Sequence, residues 1–486
     1  MYKLNQNETP LFDALLEYVN RDTIPFHVPG HKKGQGMDTE FKNFMGLNPF
    51  KIDVTVFKLV DSLHHPTGPI KKSQQLAADA YGAKASFFSV HGTSGAIEAM
   101  IMSVVSDKDK IIIPRNVHKS VTGGIILSGA IPVYMQPKLD KKIGIAHGVT
   151  PETVAETLKK NPDAKAVLII NPTYYGVATD IKKIAEIVHS YNIPLIVDEA
   201  HGPHLGFNDK LPVSAIEAGA DMCAQSTHKI IGALTQCSLL HVCSDRVDIN
   251  KVQQILNIMQ TTSPSYILMA SLDCARRQIA TQGKELLDYA INLCNYARIE
   301  INKIPGFYCF GEEVLNNPGA FSFDPTKVTI TCRDLGITGY DLDMILSNEY
   351  HIQMELSDLY NVLIVGSFGD TKENIDYLLK VLKEISDKYY GKGHKKSDFI
   401  DIPPIPNQLL IPREAFYGSK YSVPINESVG LISGEFLMAY PPGIPVLCPG
   451  EIITSEIVKY VKQLKDAGLY VQGTEDYKVE NIKVVK

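Results

Sequence analysis

Ser226-Thr227-His228-Lys229 lies downstream of an apolar run that ends Leu195-Ile196-Val197-Asp198-Glu199-Ala200-His201-Gly202. An acid at the end of a buried strand, followed by a lysine in a short polar turn, supplies two groups that pyridoxal 5'-phosphate (PLP) chemistry requires. Asp198 would keep the pyridine nitrogen protonated, and Lys229 would provide the amine of a Schiff base. A lysine by itself says nothing in so long a chain; its spacing from Asp198 and its neighbours Ser226 and His228 give it weight. Without that lysine, Asp198 reads as a strand-end acid capping the next helix.

PLP also carries a phosphate dianion, which needs a group of backbone donors. Gly92-Thr93-Ser94-Gly95 falls between the expected strand Ala85 to Val90 and a helix expected from near Ala96, so unpaired N–H groups and the positive helix end would face an anion. The competing reading is an ordinary N-capped turn; ligands at the carboxyl ends of strands in such sheets favour the phosphate. Ser226 is placed to donate to the same group. His118, in Arg115-Asn116-Val117-His118-Lys119-Ser120, follows the next strand and could stack on the pyridine, although taken alone it reads as a helix cap or a core histidine.

Four acids could meet a distal cation on a substrate: Glu355, Asp358, Glu414 and Glu435. Each alone is also compatible with a solvated carboxylate, but acids beside apolar runs are costly unless paired. No metal is expected. Asp198, His201 and His204, like His27 and His31, are close in sequence, yet Gly202-Pro203 and Val28-Pro29-Gly30 deny them a regular helix face.

Short apolar runs position these groups: Ala85 to Val90, Lys110 to Pro114, Ile131 to Gln136, Ala166 to Asn171, Pro194 to Glu199, Asp221 to Thr227 and Ser238 to Cys243. They alternate with amphipathic stretches such as Ile181 to Tyr191, the pattern of a mostly parallel sheet between helices. A long helix from Tyr266 to Lys303 leads to a smaller α+β unit, with strands at Lys327 to Cys332 and Val362 to Phe368 and helices at Gly339 to Tyr350 and Glu373 to Tyr389. Gly391 to Lys396 and Pro403 to Pro406 read as an exposed linker, and Tyr440 to Pro445 as a shaped loop. The expected divisions are 1–69, an N-terminal segment contributing to the site and to a dimer; 70–303, the PLP-binding domain; 304–390, the small domain; 391–412, the linker; and 413–486, a C-terminal domain.

The chain has 486 residues, 44% hydrophobic and 21% charged, with a formal net charge of −6. That length implies several domains at ~150 residues each. Scattered Lys and Arg argue against nucleic acid or a membrane surface as the partner and leave small polar substrates. Eight cysteines without CxxC spacing read as reduced and mostly buried. The N-terminus lacks a signal pattern and no apolar run approaches the roughly 20 residues of a membrane span, so the cytoplasm is the expected location.

In this order the motifs resemble the Orn/Lys/Arg decarboxylases, PLP-dependent enzymes of the aspartate aminotransferase fold (fold type I). They are Pro25 to Lys32, His91 to Gly95, Pro114 to Ser120, Asn171-Pro172-Thr173-Tyr174, Asp198 to Gly202, Ser226 to Lys229, Tyr440 to Pro445 and Pro449-Gly450-Glu451. The resemblance implies an α/β large domain with a mostly parallel sheet, a smaller α+β domain and a C-terminal domain. It implies Lys229 as Schiff-base lysine, Asp198 on the pyridine nitrogen, His118 on the ring, and a cofactor site of Thr93, Ser94, Gly95, Ala200, His201, Ser226, His228, Thr262 and Ser263. Thr262 to Ser265 looks like the segment lent by a neighbour in a homodimer or higher homo-oligomer with interfacial active sites. The wing domain of the long acid-inducible members has no counterpart, so their decamer and acid-resistance role are not implied. Within the family the chain looks most like the short biosynthetic arginine decarboxylases, through His27 to Gly34, Glu355 to Asn361, Arg413 to Tyr417 and Ala439 to Pro442. That implies L-arginine converted to agmatine and CO2 for polyamine synthesis. Open beside it are a lysine or ornithine decarboxylase, an aminotransferase using Arg333 as carboxylate clamp, and an inactive regulatory paralogue. His228 and a partner-subunit residue are both open as the Cα proton donor.

Overall fold

The computed structural model describes residues 2–392, 402–440, 444–466 and 470–486. Its contacts divide the chain into two units, residues 1–103 with 197–287 and residues 104–196 with 288–486. The strands of the main sheet follow the order Ala85–Ser89, Ser238–Val242, Met222–Gln225, Leu195–Asp198, Ala166–Ile170, Lys110–Pro114, Ile131–Met135. Ser238–Val242 runs antiparallel to both of its neighbours, whereas Lys110–Pro114 is parallel to both of its own. Ile111, Ile112 and Ile113 are all fully buried, as expected of a strand covered on both faces.

In the first unit, Leu11, Leu15 and Tyr18 of helix Pro10–Asn20 pack with Ile70, Phe88, Leu239, Tyr266 and Leu272. The long helix Tyr266–Ile301 begins on this core, where Tyr266 Oη donates to the Asp61 carbonyl at 2.6 Å. The segment between strand Ala85–Ser89 and the next helix differs from expectation. The helix spans Gly92–Val104, so Gly92 to Gly95 form its first turn rather than a loop before it. Glycine permits this start: Gly92 has φ +68°, and a Cβ on Gly95 would sit 3.0 Å from His91 Cβ.

In the second unit, helix Ile181–Ser190 buries Ile181, Ile184, Ala185 and Val188 at helical spacing, and Asp180 caps it by accepting from Lys183 N. A four-stranded antiparallel sheet follows in the order Tyr308–Cys309, Lys327–Thr331, Asn361–Val365, Leu356–Ser357. Helices Gly339–Tyr350 and Lys372–Tyr389 cover it around Val328, Ile330, Leu342, Leu378 and Leu382. Arg333 lies in a 3₁₀ turn, Arg333–Leu335, not in a strand. The C-terminal stretch pairs Lys420–Pro424 with Asn481–Val485 and sets Leu437–Tyr440 between Ile444–Leu447 and Tyr470–Gln472. The flanks of the expected 440–445 loop are therefore strand, and its centre, 441–443, lies outside the described residues, as does the linker centre at 393–401. Among the described residues no helix is long and apolar enough to cross a membrane.

Candidate active site

Two polar groupings gather in the first unit. In one, Thr93 Oγ1 from the first turn of helix Gly92–Val104 lies 2.5 Å from Ser226 Oγ and also bonds Ser238 Oγ. All three hydroxyls are buried. The turn is fixed from the side by Gln236, whose carbonyl accepts from Gly92 N at 3.1 Å and whose side chain donates to Val90 O at 2.5 Å. Hydroxyls converging on the N-terminus of a thirteen-residue helix are donors that could hold a phosphate. Ser94 is exposed on the same turn, and Gly95 is buried behind it.

In the other, Asp198 ends a fully buried strand and accepts from Ala200 N at 3.1 Å. Burial raises its carboxyl pKa above the ordinary value, opposed by that N–H and by the positive charge of Lys229. A carboxylate so placed gains from a cation against it. Lys229 sits in the single turn Thr227–Ile230, with Nζ 2.6 Å from His201 Nε2. His228 Nδ1 lies 2.9 Å from the Cys237 carbonyl. A carbonyl only accepts, so Nδ1 carries the proton, and in the neutral ring Nε2 holds the lone pair. A phosphate cup, a buried carboxylate for a ring cation and a lysine amine are the donor set that PLP requires, so the residues present fit that cofactor.

Thr262 and Ser263 are exposed, just beyond the buried Gln260, which accepts from Val90 N at 3.1 Å and donates to Phe88 O at 3.3 Å. His118, in the second unit, is exposed and caps helix Lys119–Ser128 through Nδ1, which accepts from Ser120 N. The helix-cap alternative is thus a fact of this histidine, and capping orients its ring.

The four acids do not form one group. Glu355 accepts from Tyr174 Oη at 2.7 Å and Asp358 from Tyr175 Oη at 2.6 Å. Asp358 also takes the N–H groups of Tyr360 and Asn361, while burial raises its carboxyl pKa. Glu435 is half-buried in the C-terminal stretch and accepts from Glu475 N and Lys483 N. Glu414 is exposed on helix Pro412–Tyr417. Arg333 donates to the Lys142 carbonyl at 2.9 Å and lies over the Tyr360 ring. Sequence reasoning missed Ser238, Gln236 and the two tyrosines; Tyr174-Tyr175, two consecutive phenols after Asn171-Pro172-Thr173, were the available signal.

The fold is that of the fold type I PLP-dependent enzymes. The same architecture is found in a lysine decarboxylase of Francisella novicida (TM-score 0.86, 24% identity, covering 99% of this chain and 82% of that one). More distantly it recurs in an alanine–glyoxylate aminotransferase of Nostoc (TM-score 0.53, 17% identity, 65% and 86%). The chain belongs to the Orn/Lys/Arg decarboxylase family, matching the major domain over residues 9–374 and the C-terminal domain over 405–476. It is 49% identical to an arginine decarboxylase of Bacillus anthracis across 100% of this chain and 99% of that protein.

Proposed function

We propose that this chain decarboxylates L-arginine to agmatine and CO2, with PLP as cofactor, as a homodimer or larger homo-oligomer of the cytoplasm serving polyamine synthesis. The observation that carries the reading is Lys229 held against His201 beside the buried Asp198, within a unit that also gathers Thr93, Ser226 and Ser238. The full-length identity to an arginine decarboxylase supports arginine over lysine.

When bound, PLP offers a protonated ring that takes up the electron pair left at Cα as CO2 departs. Asp198 holds the ring-nitrogen proton, since its buried carboxyl favours a cation partner. Lys229 is the amine that anchors the cofactor, and His201 Nε2 accepts from it and orients it. Thr93, Ser94, Gly95 and Ser226 would hold the phosphate, with Ala200 backing Asp198. His118 would lie on the ring, exclude water and keep the cofactor flat. His228 Nε2 can hold and deliver the proton that Cα takes up when the carboxylate leaves, so that one proton enters for each CO2 released. Thr262 and Ser263 serve the neighbouring subunit's site. Among Glu355, Asp358, Glu414 and Glu435, Glu355 is the best placed to meet a guanidinium, being exposed and oriented by Tyr174. The division into 1–69, 70–303, 304–390, 391–412 and 413–486 belongs to the same reading. An aminotransferase is disfavoured by Arg333, whose guanidinium is engaged by Lys142 O and Tyr360.

The test is CO2 release from arginine, lysine and ornithine across a concentration series, on purified protein given PLP. Arginine should give the highest kcat/KM, with agmatine as product, and Lys229→Ala should lose both turnover and the cofactor absorbance. A preference for lysine would overturn the substrate, and full turnover by Lys229→Ala would overturn the mechanism.

A further inference from the structure

The segment Pro449-Gly450-Glu451 carries no chemistry in the reading above, yet it holds one of the most deeply buried charges in the chain. Glu451 is fully buried and takes Arg115 with both oxygens, Nη1 on Oε1 and Nη2 on Oε2, the latter at 2.8 Å. Cys448 N donates to the same Oε2 at 2.7 Å. Arg115 Nη2 also donates to the Val446 carbonyl at 3.0 Å, and its guanidinium lies 4.6 Å from the centre of the Tyr134 ring.

Arg115 directly follows strand Lys110–Pro114 and stands three residues before His118. At the far end of the helix that His118 caps, a second arginine reaches in the opposite direction. Arg413 Nε donates to Ile126 O at 2.8 Å, its Nη2 to Leu127 O, and its Nη1 pairs with Asp107 at 3.4 Å. The segment from 115 to 128 is therefore gripped at both ends by residues of the C-terminal stretch.

A buried ion pair is weak evidence for stability, because desolvation offsets its attraction. A two-pronged guanidinium–carboxylate contact does fix direction, since both groups are planar and only one alignment makes both bonds. We infer that Arg115 and Glu451 are positioning residues through which the C-terminal domain sets the placement of His118. This rests on the proposed role of His118.

The experiment compares Glu451→Gln, Arg115→Lys and His118→Ala, with the C-terminal core variant Val461→Ala as a control for general loosening. Amide hydrogen exchange of the cofactor-free chain is read first. Both clamp variants should speed exchange across 115–128 by tenfold or more and leave the sheet strands 327–331 and 361–365 unchanged, and Val461→Ala should not reproduce this. On loading, both clamp variants should weaken PLP binding by about tenfold, change the visible circular dichroism of bound cofactor, and lower kcat with KM for arginine little altered. Arg115→Lys keeps the charge but not the two-pronged contact, so it should fail as Glu451→Gln does. Unchanged exchange across 115–128 in both variants would overturn the clamp. Faster exchange with normal cofactor affinity and dichroism, where His118→Ala loses them, would overturn the positioning role while leaving the reading of His118 standing. Normal cofactor binding by His118→Ala would remove the premise itself.

Discussion

Arg276 offers a quantitative test of how the N-terminal segment is held. It is buried, donates to Gln6 O at 2.8 Å, to Gln6 Oε1 and to Glu8 O, and pairs with the equally buried Asp273 at 2.8 Å. The other Asp273 oxygen accepts from Leu11 N at 3.0 Å. Thr9 makes no side-chain cap for helix Pro10–Asn20, so a carboxylate from a distant helix caps it instead. Replacing Arg276 by Met keeps the volume but strands Asp273 and removes the donors to Gln6 and Glu8. Losing one partner of a buried pair costs ~3–5 kcal/mol, which at about 1.4 kcal/mol per decade is roughly a 100- to 4,000-fold rise in local opening. Hydrogen exchange of peptides covering residues 5–20, corrected for intrinsic rates, reads this directly. Burial already raises the Asp273 pKa and Arg276 opposes that, so the variant's carboxyl moves up further. A raised carboxyl penalises the folded state only where it is ionised, so the deficit should shrink as pH falls from 8 towards its ordinary value of 3.8. Adding Asp273→Leu should recover only the part due to the stranded charge, because the cap on Leu11 N is lost with it. Unchanged protection of residues 9–20, or a loss spread evenly into strand Ser238–Val242, would refute the reasoning.

A second pH effect comes from Glu199, whose carboxyl burial pushes up to about 8 from an ordinary 4.5. Its stabilising share is complete below 4.5 and is lost as pH rises to 8, about 5 kcal/mol at 1.36 kcal/mol per unit. Glu199→Gln should therefore raise the melting temperature at pH 8 far more than at pH 5; an equal change at both would contradict this. His241, pushed down to about 3 by burial, acts in the opposite direction below its ordinary 6.5, so the two slopes cancel between 4.5 and 6.5. Gly450→Ala should destabilise by at least about 2 kcal/mol. Gly450 has φ +91° and a Cβ there would lie 2.2 Å from the Leu410 carbonyl, so a melting temperature equal to the parent's would be evidence against the described turn.

The sequence placed elements well where burial alone decides them. Lys110–Pro114 and Gly339–Tyr350 match their expected bounds, and Leu195–Asp198 and Ala166–Ile170 fall within one residue of theirs. Short apolar runs between polar turns leave few alternatives. The start of the helix at Gly92 was missed because glycine, threonine and serine favour a turn by propensity, whereas here two glycines let a first turn form around a buried hydroxyl. Apart from Thr93 and Ser226, expected on one phosphate and found together, the partners of buried polar groups were not legible. Asp273 with Leu11 and Arg115 with Glu451 join residues 262 and 336 positions apart, and periodicity tells which side chains are inside, not which of them meet.

Those unseen pairings lie beside the residues that chemistry picked out. Glu199 follows Asp198 and accepts from Gln225, which precedes Ser226; Gln225 Oε1 meets His241 Nε2, and His241 Nδ1 meets Ser86 Oγ. This buried polar row joins strands Ala85–Ser89, Ser238–Val242 and Met222–Gln225 and reaches Glu199, the residue after strand Leu195–Asp198. Glu199 adjoins Asp198 and Gln225 adjoins Ser226, so the Glu199–Gln225 bond ties together the backbone next to both. The cost of burying such groups is met only when each finds its partner. The same requirement that keeps the row intact therefore keeps the acid and the hydroxyl in register.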